Sequence, residues 1–536
     1  MANLNVVDIL VIAAYFVVVS AIAWWAARPE KKLSSDYFLA GRDVGWLAIG
    51  ASLFASNIGS EHLVGLAGTG AASGLAVGHF EWLAAFILLL LGWLFVPFYL
   101  RSGVYTMPEF LERRYNSASR AYFTWVSIVG YVLTKISVTL FAGGVVMKAV
   151  TGFDFWTSAA ILVVITGLYT IFGGLRAVIY TEVMQTAVLI FGSLTLTIVG
   201  LNAVGGWSGL EARLPADYFS MWKPADHPAF PWTGIIFGAP ILGVWYWCTD
   251  QHIVQRVLAA RNVKEARRGT IFAGFLKILP VFIFVVPGMI AAALYADVAG
   301  GDADSAYPVL VTRLLPAGIK GLVLAGMLAA LMSTLASAFN SCSTLLTWDV
   351  YRKWRPGASE QRLVAVGRMT TVVLVILGLA WIPFMKYVSP QLYIYMQSVQ
   401  AYIAPPIAAC FLLGLLSPRL NGRGALAALW AGFVIGFGRL VLELSKASLP
   451  PDTLWSWIAG INFLHFAALL FALCSAILIA VSFLTAPPEP QRVADLTIHT
   501  ASRVTDVDDT PAERRLTMWM SVLLAATVGV LWLVFR

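Results

Sequence analysis

The sequence predicts an all-α polytopic membrane protein, and three observations lead to that prediction. Of its 536 residues, 59% are hydrophobic and only 12% are charged, and the mean hydropathy is +0.80. Apolar runs of about 20 residues recur along the whole chain, separated by charged or Pro/Gly-rich breaks. A membrane β-barrel would instead need alternating segments of about ten residues, so a single helical bundle is the class that fits.

The apolar runs divide the chain into about fourteen predicted membrane spans. By residue number, the spans are 5–26, 46–70, 79–100, 120–148, 157–175, 180–203, 231–256, 269–296, 316–350, 364–385, 391–415, 424–445, 460–484 and 515–535. The long polar segments between them, near 204–230 and 486–514, are too short to form a catalytic domain.

Positive charges alternate from loop to loop, which predicts how the chain is oriented. The loop at 256–268 is rich in Arg and Lys, whereas the next loop, at 297–304, is acidic. By the positive-inside rule the basic loops are cytoplasmic. With fourteen spans, both termini are then expected to be extracytoplasmic. The protein is expected to be a multi-pass protein of the plasma membrane. The first span lacks a basic leader and a cleavage site, so we expect it to be retained.

Several function classes lack their sequence signals. The net charge of +8 is spread over loops and does not form a basic face for nucleic acid. No GxxxxGK[ST], GxSxG or HExxH pattern occurs, which argues against ATP-driven pumping and against an enzyme. The four cysteines, without CxxC spacing, indicate neither a metal site nor a disulfide framework. Coupling to an ion gradient therefore remains as the driving force for a transporter.

A polar stretch interrupts the second predicted span. The sequence ASNIGSEHLVGLAGTG, residues 55–70, places Glu61 and His62 at membrane depth. An ionisable group there costs roughly 2 to 4 kcal/mol unless it faces a bundle interior or a water-filled cavity. A helix broken near the middle of the membrane, with its freed carbonyls facing an internal site, explains the stretch. The glycines alone could equally serve close helix packing, but that alternative does not account for the Glu and the His.

A second polar interruption suggests an inverted repeat. WYWCTDQHIVQR, residues 245–256, lies in the seventh span. With the first span set aside, the next ten spans form two consecutive groups of five, and each polar interruption lies in the first span of its group. This arrangement is typical of transporters with inverted repeats. The predicted parts are an extra helix at 1–30, a first repeat at 46–203, a second at 231–415, and extra helices at 424–536 with a polar cytoplasmic loop near 486–514.

Several long motifs resemble the sodium/solute symporter family, specifically its sodium–glucose cotransporter branch. They include GASLFASNIGSEHLVGLAGTGAASG, GLYTIFGGLRAVIYTEVMQT, WYWCTDQHIVQR, GFLKILPVFIFVVPGM and LMSTLASAFNSCSTLLTWDVYRK, and the similarity runs from about residue 30 to residue 430. The resemblance implies a ten-helix inverted-repeat core with extra helices. It also implies inward movement of a hexose such as glucose or galactose together with sodium, by alternating access.

The resemblance also implies a sodium site. It matches the backbone carbonyls of Ala55 and Ile58 in the broken helix, and Ala330, Ser333 and Thr334 in LAALMSTLAS. Sodium needs about five or six hard oxygen ligands, which unwound carbonyls and hydroxyls can supply. Hydroxyls inside an apolar helix more often bond back to the preceding turn, so the residues alone leave both interpretations open.

The sugar-binding residues that the resemblance implies are polar and aromatic: Asn57, His62, Glu81, Tyr246, Trp247, Lys277 and Gln397. A carboxylate accepts from sugar hydroxyls, amide and ammonium groups donate to them, and aromatic rings cover the apolar face. Tyr246 is expected to act as the inner gate, and Leu66 and Phe80 as outer gates. Taken singly, each of these residues could be structural.

Some positions depart from the family or carry no assigned role. Gly243 and Ile394 stand where sugar-transporting members often carry polar residues, which puts the identity of the sugar in doubt. Ala336 stands where two-sodium members carry threonine, and this predicts one sodium per sugar. Lys135 and Asp250 are interpreted as structural ion or hydrogen-bond partners. Glu182 stands at the position of a family aspartate linked to a second sodium, and no role is assigned to Glu61.

The expected mechanism is that sodium fixes the broken helix against the ninth span and completes the sugar pocket, after which sugar favours closure. No cofactor is expected beyond the coupling ion, and no obligatory protein partner is predicted. Two alternatives stay open: the same fold could carry another solute, such as inositol, a carboxylate or an anion, or it could sense sugar without net transport.

Overall fold

The computed structural model describes residues 4–26, 34–59, 61–151, 153–299, 303–381, 392–501 and 510–536. These residues form α-helices joined by π-helical and 3₁₀ turns, and no β-strand occurs among them. The all-α prediction is therefore confirmed. The region 382–391, on which predicted spans 364–385 and 391–415 partly fall, lies outside the described residues, as does 502–509 in the predicted polar loop.

The described residues of the first half of the chain form eleven α-helices. They are α1 (Val6–Ala26), α2 (Ser34–Leu39), α3 (Trp46–Asn57), α4 (Ala67–Ser73), α5 (His79–Leu90), α6 (Val96–Ser102), α7 (Met107–Arg114), α8 (Ser117–Gly130), α9 (Ser137–Thr151), α10 (Phe155–Val204) and α11 (Gly206–Glu211). Helix α10 is 50 residues long and covers the predicted spans 157–175 and 180–203 without a non-helical residue between them.

The second half continues with fifteen α-helices in the described residues. They are α12 (Trp232–Phe237), α13 (Ala239–Gly243), α14 (Gln251–Leu258), α15 (Val263–Leu276), α16 (Val286–Leu294), α17 (Ala296–Ala299), α18 (Ala306–Leu314), α19 (Ile319–Leu345), α20 (Arg352–Trp354), α21 (Glu360–Trp381), α22 (Leu392–Leu416), α23 (Gly422–Leu444), α24 (Leu454–Gly460), α25 (Phe463–Leu484) and α26 (Pro511–Val534).

Ten described helical segments are long and apolar enough to cross a membrane, and Trp156–Leu168 forms a shorter apolar helix. This supports a multi-pass membrane protein, while the count of fourteen spans stays a prediction. The division of the chain into two five-helix repeats likewise stays a prediction. Ends of helices are the least certain feature of any sequence-based prediction, and the helix breaks described below change several of them.

Burial distinguishes a central helix from peripheral ones. In the segment Ile319–Trp354, which contains α19, 94% of the most apolar window is buried, against 22% for both α1 and α26. Helix α19 packs along α10 and also contacts α3. A helix that is buried on all sides within the protein can hold polar groups that lipid would penalise. The fold therefore places the hydroxyl-rich stretch of α19 beside the break that follows α3.

Candidate functional site

The polar stretch at 55–70 contains a real helix break. Helix α3 ends at Asn57, and Ile58 has extended backbone angles (φ −77°, ψ 109°). The chain is helical again from Glu61, where a π-helical turn spans Glu61–Leu66, and the amides of His62 and Leu63 donate to the carbonyl of Gly59. The predicted helix interruption is thus present, and it leaves backbone oxygens outside the regular helical ladder.

The second polar interruption also breaks a helix. A π-helical turn, Val244–Thr249, ends at Asp250, whose backbone is extended (φ −70°, ψ 125°). The Asp250 carboxylate then accepts a hydrogen bond of 3.0 Å from the amide of His252, the second residue of α14. Aspartate is a favoured residue at a helix start because its side chain satisfies a free amide. The break places Tyr246 and Trp247 just before a change of chain direction.

All seven predicted sugar-binding residues line one cavity. They come from six separate elements: Asn57 from the end of α3, His62 from the following π turn, Glu81 from α5, Tyr246 and Trp247 from the second π turn, Lys277 from the end of α15, and Gln397 from α22. Their sequence positions span 340 residues, so only the tertiary fold brings them together. Polar side chains with an aromatic wall suit a ring of hydroxyl groups.

A continuous chain of polar contacts crosses the cavity. Asn57 Nδ2 donates to the Tyr246 hydroxyl at 3.1 Å, and Lys277 Nζ donates to Asn57 Oδ1 at 2.5 Å. Lys277 also forms a close ion pair with Glu81, and the second oxygen of Glu81 lies 3.2 Å from His62 Nε2. Because Lys277 is 1% exposed and Glu81 6%, this pair is buried, and each charge depends on its partners.

The wall that α22 contributes to the cavity contains a tyrosine that the sequence did not single out. Gln397 Nε2 donates to the hydroxyl of Tyr393 at 3.2 Å, one helical turn away on α22. The Tyr393 ring meets the predicted gate residue Phe80 edge to face, with 6.1 Å between ring centroids. Leu66, the other predicted outer gate, is fully buried and does not line the cavity. Tyr393 therefore stands beside Phe80 where Leu66 was expected.

Other lining residues were missed or left without a role. Gln400 and Glu61 line the cavity, although Gln400 lies in no sequence motif and Glu61 had no assigned role. Gly243 also lines it, and a Cβ atom at that position would lie 2.9 Å from Ile87, so the glycine permits a close approach of two walls. The side chain of Ile394 lies outside the described residues. A signal for Gln400 existed in its helical spacing, three residues after Gln397.

The residues predicted for sodium converge across the first helix break. Ser333 Oγ donates to the carbonyl of Ala55 at 2.7 Å, and Thr334 Oγ1 to the carbonyl of Ile58 at 3.4 Å. Both hydroxyls also lie 3.1 Å from the carbonyl of Ala330. Five oxygens with such spacings match the donor number and hardness that a small alkali cation requires.

Gly59 makes this approach possible. A Cβ atom at Gly59 would lie 2.5 Å from Thr334 Oγ1, closer than real Cβ contacts allow. A side chain at Gly59 would therefore push the break away from α19 and separate the carbonyls from the hydroxyls. The glycine serves a close approach between the break and α19, and its backbone oxygen also starts the following helical turn.

A second buried cluster surrounds Glu182 on α10. Glu182 accepts from Ser56 at 2.9 Å and from Ser337 at 2.6 Å, and it contacts Ser52 closely. Arg256 forms an ion pair with it at 3.1 Å, with both side chains fully buried. This cluster lies at the position for which the sequence suggested a link to a second sodium. Here a guanidinium of the chain itself supplies the positive charge.

The predicted partnership of Lys135 and Asp250 is present. Lys135 Nζ lies 3.4 Å from Asp250 Oδ2, and both side chains are buried. Lys135 also stands over the ring of Tyr246, 4.4 Å from its centroid. Asp250 contacts the hydroxyl of Tyr131. These contacts hold the tyrosine predicted as the inner gate between the cavity on one side and a charged pair on the other.

Comparison with known proteins gives consistent matches. The model of the family described as "Sodium:solute symporter family" matches residues 37–432. The chain is 42% identical to sodium/glucose cotransporter 1 of Ovis aries, covering 90% of this chain and 79% of the relative. It is 43% identical to sodium/glucose cotransporter 4 of Mus musculus, covering 92% and 78%. It is 41% identical to a sodium/myo-inositol cotransporter of Canis lupus familiaris, covering 92% and 76%.

Solved structures share the fold at lower identity. A Na⁺-coupled sialic acid symporter in a substrate-bound outward-open state aligns with a TM-score of 0.78 and 21% identity, over 90% of this chain and 99% of the other. A nucleobase-cation-symport-1 family transporter aligns with a TM-score of 0.51 and 15% identity, over 87% and 98%. At such identities the likeness concerns the fold alone.

Proposed function

The chain belongs to the sodium:solute symporter family, and from that premise we propose that it imports a hexose together with sodium by alternating access. The family resemblance predicted from the motifs is confirmed, and the chain is a sodium-coupled transporter and not an enzyme. Sodium is the coupling ion, and the family implies no cofactor. What remains to be tested is the solute, the residues that bind it and the stoichiometry.

The names of the relatives favour a hydroxylated six-membered ring as the solute. Two relatives above 40% identity are sodium/glucose cotransporters, and a third is a sodium/myo-inositol cotransporter. Both solutes present hydroxyls around a ring with apolar faces, so a cavity lined by the same polar and aromatic groups could bind either one. Glucose or a close epimer is the preferred solute, and myo-inositol is the second candidate.

The cavity supports specific roles for its side chains. Glu81 would accept from sugar hydroxyls, while Lys277 and Asn57 would donate or bridge. His62 and Gln397 also line the cavity, and each side chain carries hydrogen-bonding atoms. Sugar hydroxyls would replace contacts that these groups now make with one another, so no buried polar group is left without a partner.

One observation carries the proposed coupling: Asn57 lies between Ala55 and Ile58 in the sequence. The carbonyls of Ala55 and Ile58 approach the hydroxyls of α19, while the side chain of Asn57 enters the cavity. A cation that binds these carbonyls and the hydroxyls of α19 would also fix the backbone position of Asn57, and with it the Asn57 side chain. Sodium would therefore raise sugar affinity, and sugar would raise sodium affinity by the same factor.

Two features support one sodium per sugar. Ala336 supplies no hydroxyl, and the nearby acceptor Glu182 is already bonded to Arg256, Ser56 and Ser337. A second cation would have to share that carboxylate with a buried guanidinium, and the two positive charges would repel each other. The proposed coupling stoichiometry is therefore one to one.

The chain is a multi-pass membrane protein, and we place it in the plasma membrane with both termini outside the cytoplasm. The alternation of basic and acidic loops supports this orientation. A plasma-membrane position is also where an inward sodium gradient would drive uptake. No obligatory protein partner is proposed.

The test is uptake of radiolabelled sugar into proteoliposomes that contain the purified chain. Glucose, galactose and myo-inositol would be compared with sodium outside and with potassium in its place. We expect sodium-dependent accumulation of a hexose above its external concentration, abolished by Gln397→Ala and reduced by Ser333→Ala. Uptake indifferent to sodium would contradict the proposal, and binding without accumulation would indicate a sensor.

A further inference from the structure

A second cavity adjoins the proposed sugar cavity, and it is lined by a similar set of chemical groups. Its polar lining includes Lys135, Asp250, Gln400 and Ser127, with the aromatic residues Tyr131 and Trp245 beside them. The first cavity is lined by a lysine, a carboxylate, a glutamine and aromatic residues as well. The apolar wall of the second cavity is formed by Phe123, Val126, Met396, Val399, Ile403 and Ile407.

A single aromatic turn separates the two cavities. Tyr246 lines the first cavity and the preceding residue, Trp245, lines the second. Gln400 lines both. It stands three residues after Gln397 on α22, a displacement of about 4.5 Å along the helix axis. A solute leaving the first cavity past Tyr246 would thus meet Gln400 and the charged pair at once.

The second cavity lies towards the basic loops. Helix α22 runs from the first cavity through Gln400 and Ile407 towards its end at Leu416, which precedes the basic residues Arg419 and Arg423. Asp250 begins α14, which leads to the basic loop at 256–268. Under the orientation proposed above, the second cavity is on the cytoplasmic side of the first, where an imported solute must pass.

The charged pair retains unused hydrogen-bonding capacity. Among the described residues, neither Lys135 Nζ nor Asp250 Oδ2 has a hydrogen-bond partner, although the two atoms form an ion pair at 3.4 Å. Their side chains are 4% and 2% exposed. Buried polar groups are normally satisfied, and an ammonium carries three donors. A ligand with several hydroxyls could accept from the lysine and donate to the carboxylate at the same time.

We infer that Lys135, Asp250 and Gln400 form a second, transit binding site for the same hydroxylated ring, one helical turn beyond the first site. The inference rests on the proposed function, because it takes the solute of the first cavity as its ligand. The apolar wall of α8 and α22 covers one face of the ring, and the charged pair and Gln400 hold its hydroxyls. The site lowers the barrier to release by rebinding the solute after it passes Tyr246.

Thiol protection tests the inference directly. Ser127 lines the second cavity, and Ser127→Cys is nearly isosteric. The four native cysteines are buried, which keeps background labelling low. The variant, purified in detergent with both sides accessible, would be treated with a small maleimide with and without glucose or myo-inositol. Ser359→Cys, on the exposed segment before α21, is the matched control that the solute should not protect.

We expect the solute to slow labelling of the Ser127→Cys thiol at least about threefold and to leave the Ser359→Cys thiol unchanged. Adding Lys135→Met should abolish the protection. A thiol introduced by Ala84→Cys in the first cavity should still be protected in that background, which shows that the protein is folded.

A distant conformational effect must be separated from direct binding. Gln397→Ala combined with Glu81→Gln disables the first cavity, and protection of the Ser127→Cys thiol should persist there at raised solute concentration. Loss of protection in that background would overturn the inference. Protection of the Ala84→Cys thiol without protection of the Ser127→Cys thiol would also overturn it, while leaving the proposed function intact. If no solute protected either thiol and uptake did not depend on sodium, the proposed function itself would fail.

Discussion

Asn57 Nδ2 donates a hydrogen bond to the hydroxyl of Tyr246 across 3.1 Å, which joins the two broken helices directly. The first break supplies the carbonyls of the proposed sodium site, and the second supplies the tyrosine between the two cavities. This hydrogen bond therefore transmits a movement of one break to the other. This contact links the proposed ion site to the proposed inner gate.

Removing one member of the buried Lys277–Glu81 pair should be more damaging than removing both. Lys277→Met leaves the buried Glu81 carboxylate without its ammonium partner and in contact with His62 Nε2, so we expect a loss of about 3 kcal/mol of stability and no detectable uptake. The double variant Lys277→Met/Glu81→Gln should recover part of that stability without recovering transport. Thermal unfolding in detergent, measured for both singles and the double, gives the coupling energy. Additive losses would show that the two groups do not interact.

The hydroxyls of α19 should control sodium affinity. Ser333→Ala and Thr334→Ala each remove one proposed ligand, and we expect the sodium concentration for half-maximal uptake to rise about tenfold, equivalent to roughly 1.4 kcal/mol. The control is Thr344→Ala on the same helix, whose hydroxyl bonds to the carbonyl of Asn340 one turn earlier. Sodium titrations of sugar uptake measure the effect. An equal rise in the sodium requirement of Thr344→Ala would mean that the substitutions act by perturbing α19 and not by removing sodium ligands.

Gly59→Ala should weaken sodium binding although it removes none of the proposed ligand atoms. The added Cβ would lie 2.5 Å from Thr334 Oγ1, so the break and α19 must separate. We expect at least a fivefold rise in the sodium requirement. Gly438→Ala, where an added Cβ meets nothing within 4 Å, is the control. Unchanged sodium dependence in Gly59→Ala would argue against an ion between these two segments.

Tyr393→Phe should affect the sugar and spare the ion. The substitution removes the hydroxyl that accepts from Gln397 Nε2 while keeping the ring that meets Phe80. Gln397 then loses its orienting contact, and we expect the half-saturating sugar concentration to rise about three- to tenfold, or roughly 1 kcal/mol. The sodium requirement at saturating sugar should stay within about twofold of the wild type. A larger effect on sodium than on sugar would contradict the placement of Tyr393 in the sugar site.

The charge carried per sugar should be one. Simultaneous measurement of current and labelled sugar uptake in voltage-clamped cells gives that ratio directly. A ratio of two would mean that a second cation binds despite Arg256, and the Glu182 cluster would be its first candidate site. Ala336→Thr supplies a hydroxyl near that cluster, and the ratio should stay at one because the guanidinium remains in place.

Much of the candidate site was accessible from the sequence, although only through motifs that resemble a known family. Asn57, His62 and Tyr246 lie in long motifs, and the structure places all of them at one cavity. Tyr393 and Gln400 lie in no recognisable motif, and they were missed because their role depends on which face of α22 meets the other walls. Leu66 was expected at the cavity, but packing of the π turn directs it into the core.

The sequence by itself determined the helical membrane class and the places where helices break. Runs of about 20 apolar residues allow only helices in lipid. The polar stretches at 55–70 and 245–256 predicted the two helix interruptions, where the structure has extended backbone at Ile58 and Asp250. Only the tertiary structure decided which buried charges meet, such as Lys277 with Glu81 across 196 positions. Charge pairing has no periodicity along the chain: a buried ammonium needs an acceptor, but only packing decides which one it reaches.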